Sequence, residues 1–263
     1  MDNYNFIFVC GLHRSGTSIL FRSLRDHAKV SGFQNTASPE DEGMHLQSVY
    51  YPSGHYGGAG EFGFHPEAHL TESSKLITES NRNKLFLEWS SYWDLTKPYL
   101  LEKSPPNVIR TRFLQAMFPK SFFIVLVRHP LAVTYATWAW YRRYRLHTRW
   151  FARILEHWLI CHELFLEDRK YLNNVVLLKY EEFVADPSAW MSKINYFLHL
   201  DNHQMHQKIL SNVNEKYFDK WKRDLNSWHA AISTRPLISH YEDRFNRFGY
   251  SLINLERADA LEF

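Results

Sequence analysis

FIFVCGLHRSGTSILFRSL, residues 6–24, decides how the rest of the chain is read. The apolar run at residues 6–10 predicts a buried strand, Gly11 opens a short polar loop, and Ile19, Leu20 and Leu24 carry helical spacing. A strand, a Gly-containing loop and a helix start form an anion cradle, because successive backbone N–H groups and the helix N-terminus point at one spot. The spacing Gly11-x4-Gly16-x-Ser18 is nearly that of a P-loop, but Thr17 stands where the P-loop lysine belongs. The cation has moved to Arg14, inside the loop. Arg14, Ser15, Thr17 and Ser18 bring one positive charge and three hydroxyls to the cradle. The stretch is built for a phosphate-like group without the lysine that ATPases and kinases place on β- and γ-phosphates.

Further along, strand-like runs recur at residues 99–101, 122–127 and 175–178. Helical patterns at 18–26, 107–118, 131–144 and 150–172 separate them. This alternation predicts an α/β fold, a P-loop-like domain with a central parallel sheet flanked by helices. A single domain over residues 1–263 accounts for the whole chain, since neither a linker nor an internal repeat interrupts it. Residues 32–73 break the rhythm with five glycines between 54 and 63 and with His45, His55, His65 and His69 among tyrosines. They predict a long lid-like insertion of the kind that carries function. The histidines lack a helical H-x3-H frame or a cysteine partner, so no metal is expected. After residue 198 the pattern weakens into a helical, aromatic tail with Tyr217, Phe218, Trp221 and Trp228.

Composition bounds the partners. With 45% hydrophobic and 16% aromatic residues the chain is globular. A net charge of +3 suits a small polyanion and is too weak for nucleic acid, for which no Lys/Arg block exists either. Cys10 and Cys161 sit in apolar stretches and read as buried free thiols. No run approaches a membrane span, and the N-terminal apolar run serves as the cradle's strand, so a cytoplasmic location is expected.

Ligands of such sheets sit at the carboxyl ends of the strands. There the sequence places Lys103 in LEKSPPN (residues 101–107), Arg128 in IVLVRHPLAV (124–133) and Lys179-Tyr180 in LLKYEEFVADP (177–187). Three strands thus deliver cations and a tyrosine to the edge where the cradle lies, as a ligand with separated anionic groups requires.

Together with FVCGLHRSGTS (8–18), and in this order and spacing, these motifs resemble the sulfotransferases that use 3′-phosphoadenosine 5′-phosphosulfate (PAPS), within them the broad bacterial and protein-tyrosine group. The stretch Val213-Asn214 to Lys220-Trp221 resembles that group's C-terminal element, so the likeness runs from residue 6 to about 221. The resemblance implies that Arg14, Ser15, Gly16, Thr17 and Ser18 hold the 5′-phosphosulfate. It further implies that Arg128 and Lys220 meet the 3′-phosphate, that Tyr180 lies near the adenine, and that Lys103 stabilises the bridging oxygen as the sulfuryl group leaves. The product would be adenosine 3′,5′-bisphosphate, and its charge is met by Arg and Lys without a metal. One position departs from the pattern: the serine usual eight residues after the 3′-phosphate arginine is Ala136. Thr137 is expected to replace its hydroxyl, with Thr134 on the same helix, and Arg142 or Arg143 to add charge.

Transfer to a hydroxyl or amine needs a general base, a carboxylate or a histidine. Some family members carry histidine where this chain has Pro105. The stretch Gly32-Phe33-Gln34-Asn35, where protein-tyrosine enzymes have a glutamate, holds no carboxylate. The next source is Ser38 to Gln47, SPEDEGMHLQ, and Glu42 is the expected base, with His45 and Glu40 behind it. The expected catalytic set is therefore Glu42, His45, Lys103 and Arg14. A P-loop kinase of a nucleotide or small alcohol is the alternative. Against it stand Thr17 and a third strand that ends in Arg128-His129 rather than in a Mg²⁺-binding acid. The acceptor is a glycan, lipid, small metabolite or tyrosine. Tyr50, Tyr51, Tyr56, Phe62, Phe64, Trp138, Trp140 and Tyr141 are the aromatic candidates for its pocket.

Overall fold

The computed structural model describes residues 1, 3–141, 148–228 and 230–259. Five strands, β1 (Asn5–Cys10), β2 (Val30–Gly32), β3 (Tyr99–Lys103), β4 (Ser121–Val127) and β5 (Val175–Lys179), form one sheet in the order β2-β3-β1-β4-β5. Every pairing is parallel, with Val9 opposite Lys103 and Val125 opposite Leu177. The central strands are buried on both faces, which is why they read as unbroken apolar runs rather than as alternating ones.

The helices between them are α1 (Thr17–Arg25), α2 (Glu79–Ser90), α3 (Thr111–Met117), α4 (Pro130–Tyr141) and α5 (Thr148–Arg169), and α6 (Tyr180–Ala185) and α7 (Pro187–Phe197) follow β5. After the sheet come α8 (Glu215–Leu225), α9 (Ala230–Ser233) and α10 (Arg235–Asn246). The four expected strands are present. The three-residue edge strand β2 and helix α2 are additions. Helix α2 buries only Leu85 and Trp89, too few positions to announce a helix; its start is set by Thr78, whose hydroxyl accepts the Asn81 N–H. Trp89 and Trp93 then join Phe6, Phe8, Phe33 and Phe118 in one aromatic core, Phe6 stacking on Phe118 at 4.3 Å.

The expected helix at 107–118 is instead a 3-10 turn, Pro105–Ile109, followed by α3. The proline pair favours the tight turn, and Arg110 (φ −132°) breaks the helical path. Its buried guanidinium donates to the carbonyls of Ala68 and Tyr51, so the break ties residues 51–68 to the sheet edge.

Residues 33–78 contain no strand or α-helix, only five short 3-10 turns. They are nevertheless packed: Met44, Tyr50, Phe62 and Ala68 are buried. Gly60 lies against Ile154 and Gly63 against Cys161, close approaches that a side chain would obstruct. Tyr50 and Phe62 therefore belong to the core, and Tyr51 is 60% exposed. Among the described residues no helix is long and apolar enough to cross a membrane.

Candidate active site

Gly11 and Gly16 shape the cradle. Gly11 leaves β1 with φ +145°, and a Cβ there would stand 2.5 Å from the Leu126 carbonyl oxygen. Gly16 has φ +100°, and its Cβ would meet the Tyr180 ring at 2.6 Å. Between them Ser15 is turned inward, with both its N–H and its hydroxyl donating to Leu12 O. The first bonds into α1 are those of Ile19 and Leu20 to Gly16 O, which leaves the Thr17 and Ser18 N–H groups at the helix mouth.

The mouth opens on a cleft of about 810 Å³. From the cradle and the strand ends it is lined by Arg14, Gly16, Thr17, Ser18, Arg128 and Tyr180, and from the lid by Glu40, Glu42, Met44 and His45. The guanidinium of Arg128 is buried and braced on three sides. Nε and Nη2 donate to Asn214 Oδ1 at 2.9 and 2.6 Å, Nη1 donates to the Arg14 carbonyl at 2.8 Å, and the Tyr180 ring lies 4.1 Å away. Asn214 is itself oriented by donating Nδ2 to Glu181. Burial holds Arg128 below its ordinary pKa, and the nearby Tyr180 and Glu181 oppose that.

At the end of β3, opposite Val9 of β1, Lys103 is buried and donates Nζ to Glu42 Oε1 at 3.0 Å and to the Glu40 carbonyl at 3.1 Å. Burial raises the Glu42 carboxyl above the usual range and Lys103 works against this. His45 Nε2 lies 3.9 Å from the other Glu42 oxygen, its pKa lowered by burial and then by Lys103. His13 also lines the cleft; burial, with Lys103, His45 and Arg14 adding repulsion, lowers it to about 3, so it is neutral. One ion pair flanked by two histidines can exchange a proton with a ligand in this cleft.

Several expected residues stand elsewhere. Ser15 spends its hydroxyl inside the loop. Thr137 does not line the cleft: it is buried, with Cγ2 3.6 Å from where a Cβ on Gly60 would sit, while Ala136 lines the cleft. Thr134 is buried too, its hydroxyl unpartnered. Lys220 lies over the rings of Tyr135 (4.5 Å) and Trp138 (4.2 Å), and Lys216, one turn earlier, lines the cleft together with Lys208. Arg142 and Arg143, and the Tyr141 side chain, lie outside the described residues. Trp140 lines the cleft 5.8 Å from the Arg14 guanidinium.

His13, Lys208, Lys216 and the bracing role of Asn214 escaped the sequence reading. The stretch before α8 has no periodicity to place Lys208, and only the helical spacing from Lys220 back to Lys216 pointed to the second lysine.

The family model of the sulfotransferase family matches residues 6–204, which include all five strands but for Asn5, and the whole lid. The chain belongs to the sulfotransferase family. Solved structures agree at the level of the fold. The sulfotransferase STF9 from Mycobacterium avium superposes with a TM-score of 0.56 at 13% identity, over 98% of this chain and 79% of that one. The sulfotransferase domain of the Synechococcus PCC 7002 olefin synthase gives a TM-score of 0.52 at 18% identity, over 82% and 88%. The sulfotransferase domain from the curacin biosynthetic pathway gives 0.50 at 17%, over 90% and 97%. A search of curated protein sequences returns no significant match. In this member of the family the cradle, Arg128 and Glu42 line one cleft, and Lys103 is paired with Glu42.

Proposed function

We propose that the protein moves a sulfuryl group from PAPS to a hydroxyl or amine acceptor, with Glu42 as the general base and Lys103 beside the leaving oxygen. The observation that carries this reading is Glu42, paired with the buried Lys103, lining the same cleft as the anion cradle. The residues fit the donor. Glycines stand in the cradle where a Cβ would collide, Arg128 is held with its charge at the cleft wall, and Tyr180 offers a ring beside it. A cleft of about 810 Å³ falls within the roughly 300–1,000 Å³ of small-molecule sites.

When bound, PAPS supplies the sulfuryl group and departs as adenosine 3′,5′-bisphosphate. The chain's part is positional and electrostatic. The Thr17 and Ser18 N–H groups with Arg14 hold the 5′ end, and Arg128, with Lys208 and Lys216 at the rim, holds the 3′-phosphate. Glu42 accepts the acceptor's proton as the new S–O bond forms. Lys103, its carboxylate partner thereby neutralised, turns its ammonium toward the oxygen from which sulfur separates. The acceptor enters past Met44, His45 and Trp140.

The test is ³⁵S transfer from labelled PAPS to a panel of phenols, sugars, sterol-like alcohols and amines, with and without EDTA. EDTA-insensitive label on an acceptor, lost in Glu42→Gln, supports the reading. Absence of label from every acceptor, with ³²P transfer from ATP–Mg²⁺ instead, overturns it in favour of a kinase.

A further inference from the structure

Glu102 is fully buried in a strand whose neighbours are apolar, and the proton transfer described above makes no use of it. A carboxylate in such a place is costly unless donors surround it. Three do. Its Oε1 accepts the Gly43 N–H at 3.1 Å and the Ser104 hydroxyl, and its Oε2 accepts the Asn107 amide. Ser104 Oγ in turn accepts the Met44 N–H at 2.9 Å, and the Trp89 indole donates to the Gly43 carbonyl at 2.9 Å. Successive strand residues point to opposite faces, so Lys103 reaches the Glu42 carboxylate while Glu102 grips the next peptide from the other side. The approach is close enough that a Cβ on Gly43 would stand 2.5 Å from Glu102 Oε1.

We propose that Glu102 is a positioning residue that fixes the Glu42–Gly43 peptide and so holds the base against Lys103. The inference rests on the assignment of Glu42 as base. A plain anchor for the lid could be apolar, as Met44 and Tyr50 are. Glu102 instead accepts the Gly43 N–H directly, and it accepts from the Ser104 hydroxyl that in turn accepts the Met44 N–H. A glutamine cannot replace it faithfully. With one acceptor oxygen in place of two, it turns an amide donor toward Ser104 or Asn107.

The experiment is a double-mutant cycle of Glu102→Gln with Glu42→Gln, read as adenosine 3′,5′-bisphosphate released from PAPS with 4-nitrophenol as acceptor. Bisphosphate binding and amide exchange at Gly43 are measured on each variant. Positioning through Glu42 predicts that Glu102→Gln lowers kcat about tenfold with KM for PAPS within about twofold, and lowers it by less than about twofold once Glu42 is gone. It also predicts faster exchange at Gly43 and unchanged bisphosphate affinity. Equal losses in both backgrounds, or parallel loss of bisphosphate binding, overturn the proposal. Normal turnover in Glu42→Gln overturns the base assignment on its own; the Gly43 exchange still decides the clamp, and unchanged exchange there removes it. Should Glu102→Gln not fold, Ser104→Ala releases the Met44 amide and one donor to the carboxylate, and is read in the same way.

Discussion

The cradle at residues 11–18 and the lid at 33–78 both line one cleft, and they reach that position by different physics. The cradle is local. Gly11, Gly16 and the first turn of α1 aim backbone N–H groups within eight residues, and the distant demands are room beside Leu126 and Tyr180 and the bond from Arg128 to the Arg14 carbonyl. The lid has almost no local structure and is shaped by contacts far along the chain. Lys103, Glu102 and Ser104 hold residues 40–44, Trp89 holds Gly43, and Arg110 holds residues 51 and 68. Substitutions on the cradle wall should therefore change donor affinity, and those on the lid wall should change the chemical step.

The largest effect should come from the lid wall. Glu42→Gln is expected to lower turnover by about 10²–10³-fold, in the range usual for loss of a general base, with bisphosphate affinity unchanged. A parallel loss of affinity would break the division between the walls. In the wild type the base works only when ionised, and burial raises its carboxyl while Lys103 opposes; His45, His13, Glu40 and Glu102, which burial raises to about 7, are titratable groups around it. The kcat profile should then fall on the acid side with a midpoint above the ordinary carboxylate range, and a midpoint at or below that range would count against Glu42.

Arg128→Ala removes a buried charge and its bonds to Asn214 and Arg14. It should weaken bisphosphate binding about 100-fold, the scale of two charge-assisted hydrogen bonds, and leave amide exchange in the lid as it was. Gly43→Ala drives a methyl against Glu102 and should cost about 1–3 kcal/mol by thermal unfolding, as overpacked sites do, along with slower turnover. Smallest is Ala136→Ser, which returns a hydroxyl to the cleft wall. Bisphosphate affinity should rise about fivefold, one hydrogen bond's worth, and no gain would mean that position 136 is not at the 3′-phosphate.

What the sequence disclosed follows the same division. Residues 6–24 announced strand, cradle and helix because burial and spacing are written locally, and Arg128 and Tyr180 followed from their places at strand ends. Glu42 emerged by elimination among acidic residues entering the lid, and its pairing with Lys103 came only from the fold. Ser15, Thr137 and Lys220 do not line the cleft, for a common reason. Residue type and number fixed their neighbourhood, and a rotation of about 100° per helical residue, or an inward turn of the loop, decided what each side chain touched. Glu102 stood beside Lys103 in the sequence with nothing to show that its carboxylate would meet a glycine amide 59 positions away.

Calorimetric titration of the wild type and Arg128→Ala with adenosine 3′,5′-bisphosphate, beside ATP–Mg²⁺, tests the central claim most directly. The cleft described here predicts metal-independent binding of the bisphosphate that collapses in the variant, with ATP–Mg²⁺ bound far more weakly. Preference for ATP–Mg²⁺, or bisphosphate binding indifferent to Arg128, would contradict it.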